Sequence, residues 1–342
     1  MTLSRRTRRE WRIFLWVSVA AAAVSAWFGY RVAPVEQPAL LSMLQGALTS
    51  MLIATPVVWM QLKGGKVARW TRGLPFGAYV AIKSVFYFVV IIGGLVLARV
   101  LFTSGGFQLD DRFRQSIVFA VGMSIFGNLL FDLGGLLGFG TLRNLFMGRY
   151  ARPRSEQRAF LLIDMKDSTG LAERLGPIQF HELLNDFFRD VADAALECQA
   201  EIHKYVGDEA ILTWPDDNAT ADNDCLACPF IARDIIAANA ETYRKRFGGV
   251  PTFRAALHRG EIVAGEIGDV RREIAYVGDT LNVAARLLDA AKSSGYEVLV
   301  SADLLARTTL PGDLRQVPLP TLSVRGRAAP LEIAALERRA AS

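Results

Sequence analysis

In KYVGDEAILTW, residues 204–214, a glycine turn is crowded by Lys204, Asp208 and Glu209. A tight turn needs the glycine and tolerates the aspartate, but it does not need this cluster of charge. Another acid, Asp164, closes AFLLID (159–164), an apolar run of strand length. Carboxylates brought to one spot repel unless a cation joins them. Hard oxygen ligands select Mg²⁺ or Mn²⁺, and a paired site holding metals about 4 Å apart suits phosphoryl transfer. The chemistry therefore depends on whether the fold brings Asp164 and Asp208 together.

The surrounding pattern gives an element order that would do so. After AFLLID, the run QFHELLNDFFRDVADAALE has helical spacing of apolar residues, and EIHKYVGDEAILTW reads as two strands about a Gly-Asp turn. Residues 227–247 read as a second amphipathic helix, and FRAALHRGEIVAGEIG as another strand pair. The order βαββαβ is that of an α+β ferredoxin-like core, an antiparallel sheet with helices on one face. In that core the end of the first strand and the turn between strands two and three lie side by side, which puts Asp164 beside Asp208. Ser168 or Thr169 is the expected N-cap of the following helix, whose backbone N–H groups could cradle a polyphosphate. A helix through LNVAARLLDAA, a strand EVLV and a final hairpin to Ala335 complete the reading. No GxxxxGK[ST] occurs, so the chain is not a P-loop NTPase.

The first 140 residues have a different character. Four segments, 11–32, 39–62, 76–102 and 115–138, are apolar and long enough to cross a bilayer as an α-helical membrane domain. Arg5, Arg6, Arg8, Arg9 and Arg12 precede the first span. Lys63, Lys66, Arg69 and Arg72 link the second and third, and Arg143, Arg149, Arg152 and Arg154 follow the fourth. This bias places both termini in the cytoplasm of a protein of the cell inner (plasma) membrane. The net charge of +5 mostly reflects these arginines, which argues for anionic headgroups and against nucleic acid. Within the spans, Lys83 and Asp132 sit at about the same depth, so an ion pair between them and snorkelling of Lys83 are competing expectations. Expected domains are a membrane part at 1–140, a Gly-rich or helical connector at 141–155 and a catalytic part at 156–342. Cys225 and Cys228 have a metal-like spacing but no second ligand pair, so Cys198, Cys225 and Cys228 read as reduced thiols.

Four stretches, LLIDMKDSTGLAE, KYVGDEAILTW, FRAALHRGEIVAGEIG and YVGDTLNVAARLLDAA, occur in the order found in class III adenylyl and guanylyl cyclases. The cytoplasmic half resembles their catalytic domain. The resemblance implies a homodimer that shares its active sites, with two Mg²⁺ or Mn²⁺ ions per site. It implies metal ligation by Asp164, Asp208 and the backbone carbonyl of Met165. It further implies adenine reading by Lys204, ribose orientation by Asn282 and transition-state stabilisation by Arg286, with Arg325 near the terminal phosphates. One position departs: where the family carries a second polar base reader stands Ala275, which cannot accept a hydrogen bond from the adenine amino group. Backbone carbonyls near Tyr276 are the expected substitute. Lys204 favours ATP, since the guanylyl alternative wants an acid there. A degenerate nucleotide-sensing or dimerisation module normally lacks a metal Asp or the Arg, and both are present. Four short spans with only a few intramembrane ionisable residues argue against a transporter or channel as the main activity.

Overall fold

The computed structural model describes residues 5–33, 37–63, 75–102, 110–137, 147–150, 152–221, 223–270, 273–323 and 330–339. The side chains of several of these, Asp132 among them, fall outside the description. The chain divides into two compact units, residues 1–137 and 138–342.

The first unit is helical: α1 (Arg5–Arg31), α2 (Ala39–Lys63), α3 (Phe76–Phe102) and α4 (Asp111–Leu137). Among the described residues, these four helices are long and apolar enough to cross a membrane. The fourth candidate span covers Asp111–Leu130, so it begins before the expected residue 115, and residue 138 lies outside the described residues. α1 and α2 pack backbone to backbone. A Cβ on Gly29 would lie 2.4 Å from the Ser42 carbonyl oxygen, and one on Gly46 would lie 2.3 Å from that of Ser25, so only glycine permits the approach. α3 and α4 meet through Tyr87, Ile91, Leu95 and Phe113. Asp110 ion-pairs with Arg99 and accepts the Phe113 N–H at 2.8 Å, starting α4 at the end of the α3–α4 link. Lys83 is only 8% exposed within this unit, with its ammonium 6.0 Å from the Tyr87 ring, whose hydroxyl donates to Asn128 at 3.2 Å. The expected Lys83–Asp132 pair lies outside the described residues.

The second unit runs β1 (Arg154–Met165), α5 (Ser168–Glu197), β2 (Glu201–Val206), β3 (Glu209–Pro215), α6 (Asp216–Ala221), α7 (Asp224–Ala238), α8 (Ala240–Phe247) and β4 (Phe253–Ile267). It continues with β5 (Glu273–Val277), α9 (Asp279–Ser294), β6 (Val298–Ser301), α10 (Ala302–Leu305), β7 (Leu314–Leu322) and β8 (Leu331–Arg338). Among the described residues the sheet order is β2-β3-β1-β4-β6-β8-β7, with β5 also on β4. The β2-β3-β1-β4 portion is the antiparallel ferredoxin-like core. β1 lies between β3 and β4 and is covered on both faces, so AFLLI is continuously apolar instead of alternating. Leu161 and Ile163 join the core with Leu183, Phe187 and Phe230 under α5 and α7, while Phe160 and Leu162 face Val283, Ala284 and Leu287 of α9.

Three expectations are corrected. Helices cover both faces of the complete sheet, because α9, which lies beyond the βαββαβ core, packs opposite α5 and α7. FRAALHRGEIVAGEIG is one strand, β4, paired along its length with β1. Gly260 makes no turn there but leaves room for Thr280, whose Oγ1 would be 2.5 Å from any Cβ. The strand returning against β4 is β5. Residues 227–247 fall in two helices, interrupted at Asn239, whose amide donates to Asp190 at 3.1 Å. All three cysteines are free and buried, and Cys225, its thiol pushed up to about 12 by burial, donates to the Ala219 carbonyl at 3.3 Å.

Candidate active site

Asp164 stands near the end of β1, in register with Glu209 of β3 on one side and Arg254 of β4 on the other. Gly207, at φ 61°, makes the β2–β3 turn with Asp208. Two backbone bonds tie the end of β1 to its neighbours. The Met165 N–H donates to the Asp208 carbonyl at 3.4 Å, and the Lys166 N–H donates to that of Thr252 at 2.8 Å. Asp164 and Asp208 are thereby brought together. The Met165 side chain is buried in the core, so its backbone is the part available to a metal.

The carboxylates of this corner raise one another's proton affinity. The Asp164 carboxyl is held above the usual carboxylate range by burial and then by the charge of Asp208. Glu209 is pushed up to about 7 by burial and then by Asp164. Lys292 of α9 offsets part of this, its ammonium 3.8 Å from Asp164 and 3.2 Å from Asp289. Partly buried carboxylates that raise one another's proton affinity suit a hard divalent ion, which would take the place of the missing positive charge.

Helix α5 begins three residues beyond Met165. Its N-cap is Asp167, in the left-handed region at φ 54°, and not Ser168 or Thr169, which are the first two helical residues. The cap falls one residue earlier than expected, on an Asp, itself a favoured N-cap residue, which makes no side-chain cap bond here. Both hydroxyl residues remain at the helix start, beside the acids.

A different group gathers on β2 and β5. His203 is the extra residue of a bulge in β2, and its ring lies 4.5 Å from that of Tyr276. Tyr276 points inward against Phe160 and lies 4.9 Å from the guanidinium of Arg158. Arg158 is only 1% exposed and is bound to Thr213, Glu156 and Glu201. The Tyr276 side chain is thus held between Phe160, His203 and Arg158. Burial, then the neighbouring Lys204 charge, lowers His203 to about 4. Lys204 is exposed, 3.6 Å from Glu273 of β5, and Ala275 follows on the same strand in register with Gly265.

Asn282 and Arg286 project from the exposed face of α9, opposite Val283, Ala284, Leu287 and Leu288. On the same face, Asp289 pairs with Lys292. At its first turn α9 is anchored to β4, with Thr280 donating to the Glu261 carbonyl at 2.6 Å. Only its last turn reaches Asp164. Asn282 lies about 15 Å before Lys292 along the axis at ~1.5 Å per residue. One chain therefore joins Asp164 to Asp208 and Lys204 to the Ala275 strand, and the α9 side chain that pairs with Asp164 is Lys292. Arg325 lies outside the described residues. Glu273, Lys292 and Arg158 escaped the sequence reading. Glu273 had a usable signal, its two-residue spacing from Ala275, but β5 was not recognised as a strand.

A model of the adenylate and guanylate cyclase catalytic domain matches residues 151–330. Adenylate cyclase 2 of Rhizobium meliloti is 35% identical over 86% of this chain and 83% of its own length. An adenylate cyclase of Anabaena cylindrica is 27% identical over 46% of the chain, which spans about a third (32%) of that protein. The structure of a bacterial light-regulated adenylyl cyclase has the same fold, at 15% identity and a TM-score of 0.53, covering 67% of this chain and 66% of that one. The chain belongs to the family defined by the adenylate and guanylate cyclase catalytic domain.

Proposed function

We propose that this protein is a membrane-anchored adenylate cyclase that converts ATP to 3′,5′-cyclic AMP and pyrophosphate at sites shared between two copies of the chain. The observation that carries the reading is the joining of the β1 end to the β2–β3 turn, with Asp164 and Asp208 in one half-buried acidic corner. The 35% identity to a protein named adenylate cyclase supports the choice of nucleotide, as does Lys204.

Asp164, Asp208 and the Met165 carbonyl would hold two Mg²⁺ or Mn²⁺ ions. Bound there, they would supply Lewis-acid activation of the ribose 3′-hydroxyl and neutralise the triphosphate. The chain's own residues do the remaining work. The amino end of α5, with Ser168 and Thr169, offers N–H and O–H donors to phosphate oxygens. Lys204 donates to the adenine ring, and Asn282 orients the ribose so that its 3′-oxygen lies in line with the α-phosphorus. Arg286 stabilises charge developing on the α-phosphate as pyrophosphate leaves.

What supports a shared site is the placement of α9. Its own chain uses the far turn, through Lys292, against Asp164, which leaves exposed Asn282 and Arg286 available to a second copy. Tyr205, Val206, Val263, Ile267 and Val277 form an exposed apolar set on β2, β4 and β5 that such a copy would cover. The four apolar helices would anchor the dimer in the inner membrane with both termini cytoplasmic, where ATP is available. Incubating the purified full chain with ATP or GTP and Mn²⁺, and identifying the product by mass spectrometry, tests the reading. Cyclic AMP is expected, and absence of any cyclic nucleotide overturns it.

A further inference from the structure

Ala275 leaves the expected base pocket without its second polar reader, and Glu273 lies on the same strand. Strand alternation puts Glu273, Ala275 and Val277 on one face of β5, while Ile274 and Tyr276 pack inward. The Glu273 carboxylate is 3.6 Å from the Lys204 ammonium. Both side chains are about half exposed in the single chain, and a surface ion pair of this kind is worth at most about 1 kcal/mol. Stability therefore gives little reason for the pairing.

Base chemistry gives a better one. On one edge of adenine, the N1 acceptor and the 6-amino donor are adjacent. A pocket that reads both needs a donor and an acceptor side by side, and Lys204 Nζ with Glu273 Oε1 is such a couple. We propose that Glu273 is a specificity-determining residue, accepting the hydrogen bond from the 6-amino group of adenine while Lys204 donates to N1. The acceptor has moved two residues along β5 from the position where Ala275 stands. Guanine presents the reverse order, a 6-oxo acceptor beside an N1–H donor, so the same couple in the same register opposes it at both atoms. The inference rests on the adenylate cyclase reading above.

The test compares ATP, GTP and purine riboside 5′-triphosphate, which keeps N1 but lacks the 6-amino group. It uses the full-length membrane protein with Mn²⁺, as wild type, Glu273→Ala and Glu273→Gln. A hydrogen bond to a charged acceptor is worth roughly ten- to hundredfold in kcat/KM. Wild type is expected to use ATP better than the purine analogue by that factor. Glu273→Ala should lose the advantage by falling on ATP alone, its rate on the analogue changing less than about threefold. Glu273→Gln, which keeps a carbonyl acceptor but not the charge, should retain much of it. An equal fall on ATP and the analogue would mean that Glu273 only orders Lys204, and would overturn the proposal. No change on either would overturn it too, leaving the amino group to a backbone carbonyl or to no reader. Wild type that cyclises none of the three nucleotides refutes the cyclase reading itself, a separate outcome.

Discussion

Two inactive variants should restore activity when they share a dimer. Asp208→Ala removes a proposed metal ligand, and Arg286→Ala removes the proposed transition-state cation. Each homodimer should be at least about a hundredfold slower than wild type, since a single transition-state donor is worth that much or more. In one chain, α9 is pinned to Glu261 at its first turn and reaches Asp164 only at its last, through Lys292. In the proposed arrangement each site combines one chain's acids with the other chain's Arg286. Symmetry fixes the arithmetic, because a heterodimer of the two variants has one intact site and one carrying both lesions. Co-expression with two affinity tags and tandem purification gives heterodimers free of either parent. Their cyclic AMP output per dimer should be about half that of wild type, far above both parents. Heterodimers as inactive as the parents would refute the shared site and return Arg286 to its own chain's acids.

Asp164→Asn should abolish cyclase activity without lowering the metal-free melting temperature, because it removes a half-buried charge that Asp208 and Glu209 oppose; it should also abolish stabilisation by Mn²⁺, measured by thermal shift. Gly46→Val should cut the folded yield of the membrane unit, since its Cβ would lie 2.3 Å from the Ser25 carbonyl, and overpacking of this kind costs about 1–3 kcal/mol; fluorescence-detected size-exclusion chromatography in detergent reads the loss. His203, lowered to about 4 by burial beside Lys204 and Arg158 with only Glu273 opposing, stays neutral in the fold. Below its unfolded value near 6.5 the unfolded chain binds the extra proton, so stability falls as pH drops from about 6.5 to about 4, by up to about 3 kcal/mol. His203→Phe should flatten that part of the pH profile in chemical denaturation, and an unchanged slope would refute the assignment.

Legibility in the sequence followed the range of the interactions. The four apolar helices could be read because bilayer length is a local property of composition. The β1 run and the β2–β3 turn could be read because an apolar strand and a Gly-Asp turn are each written in a few consecutive residues. Asp164 and Asp208 followed from those two elements and the topology. β4 was misread because Gly260 looks like a turn, whereas it is needed for the close approach of Thr280 from a helix twenty residues later. β5 was missed because EIAYV is short, and its inward residues are held by Arg158 and His203 from distant strands. With β5 unrecognised, Glu273 could not be placed beside Lys204.

Helix α9 shows why spacing alone stops short of function. Its pattern fixes one buried face, Val283, Ala284, Leu287, Leu288 and Ala291, and one exposed face with Asn282 and Arg286. A surface helix of any soluble domain could carry the same pattern, with Arg286 paired to Asp289. In the packed structure Asp289 pairs instead with Lys292, which also reaches Asp164. The last turn of the helix then serves the acids of its own chain while its first two turns present polar groups outward. With α9 held to Glu261 at its start and to Asp164 through Lys292 at its end, the proposed roles of Asn282 and Arg286 are most simply met at the acids of a second chain, which is what the heterodimer experiment tests.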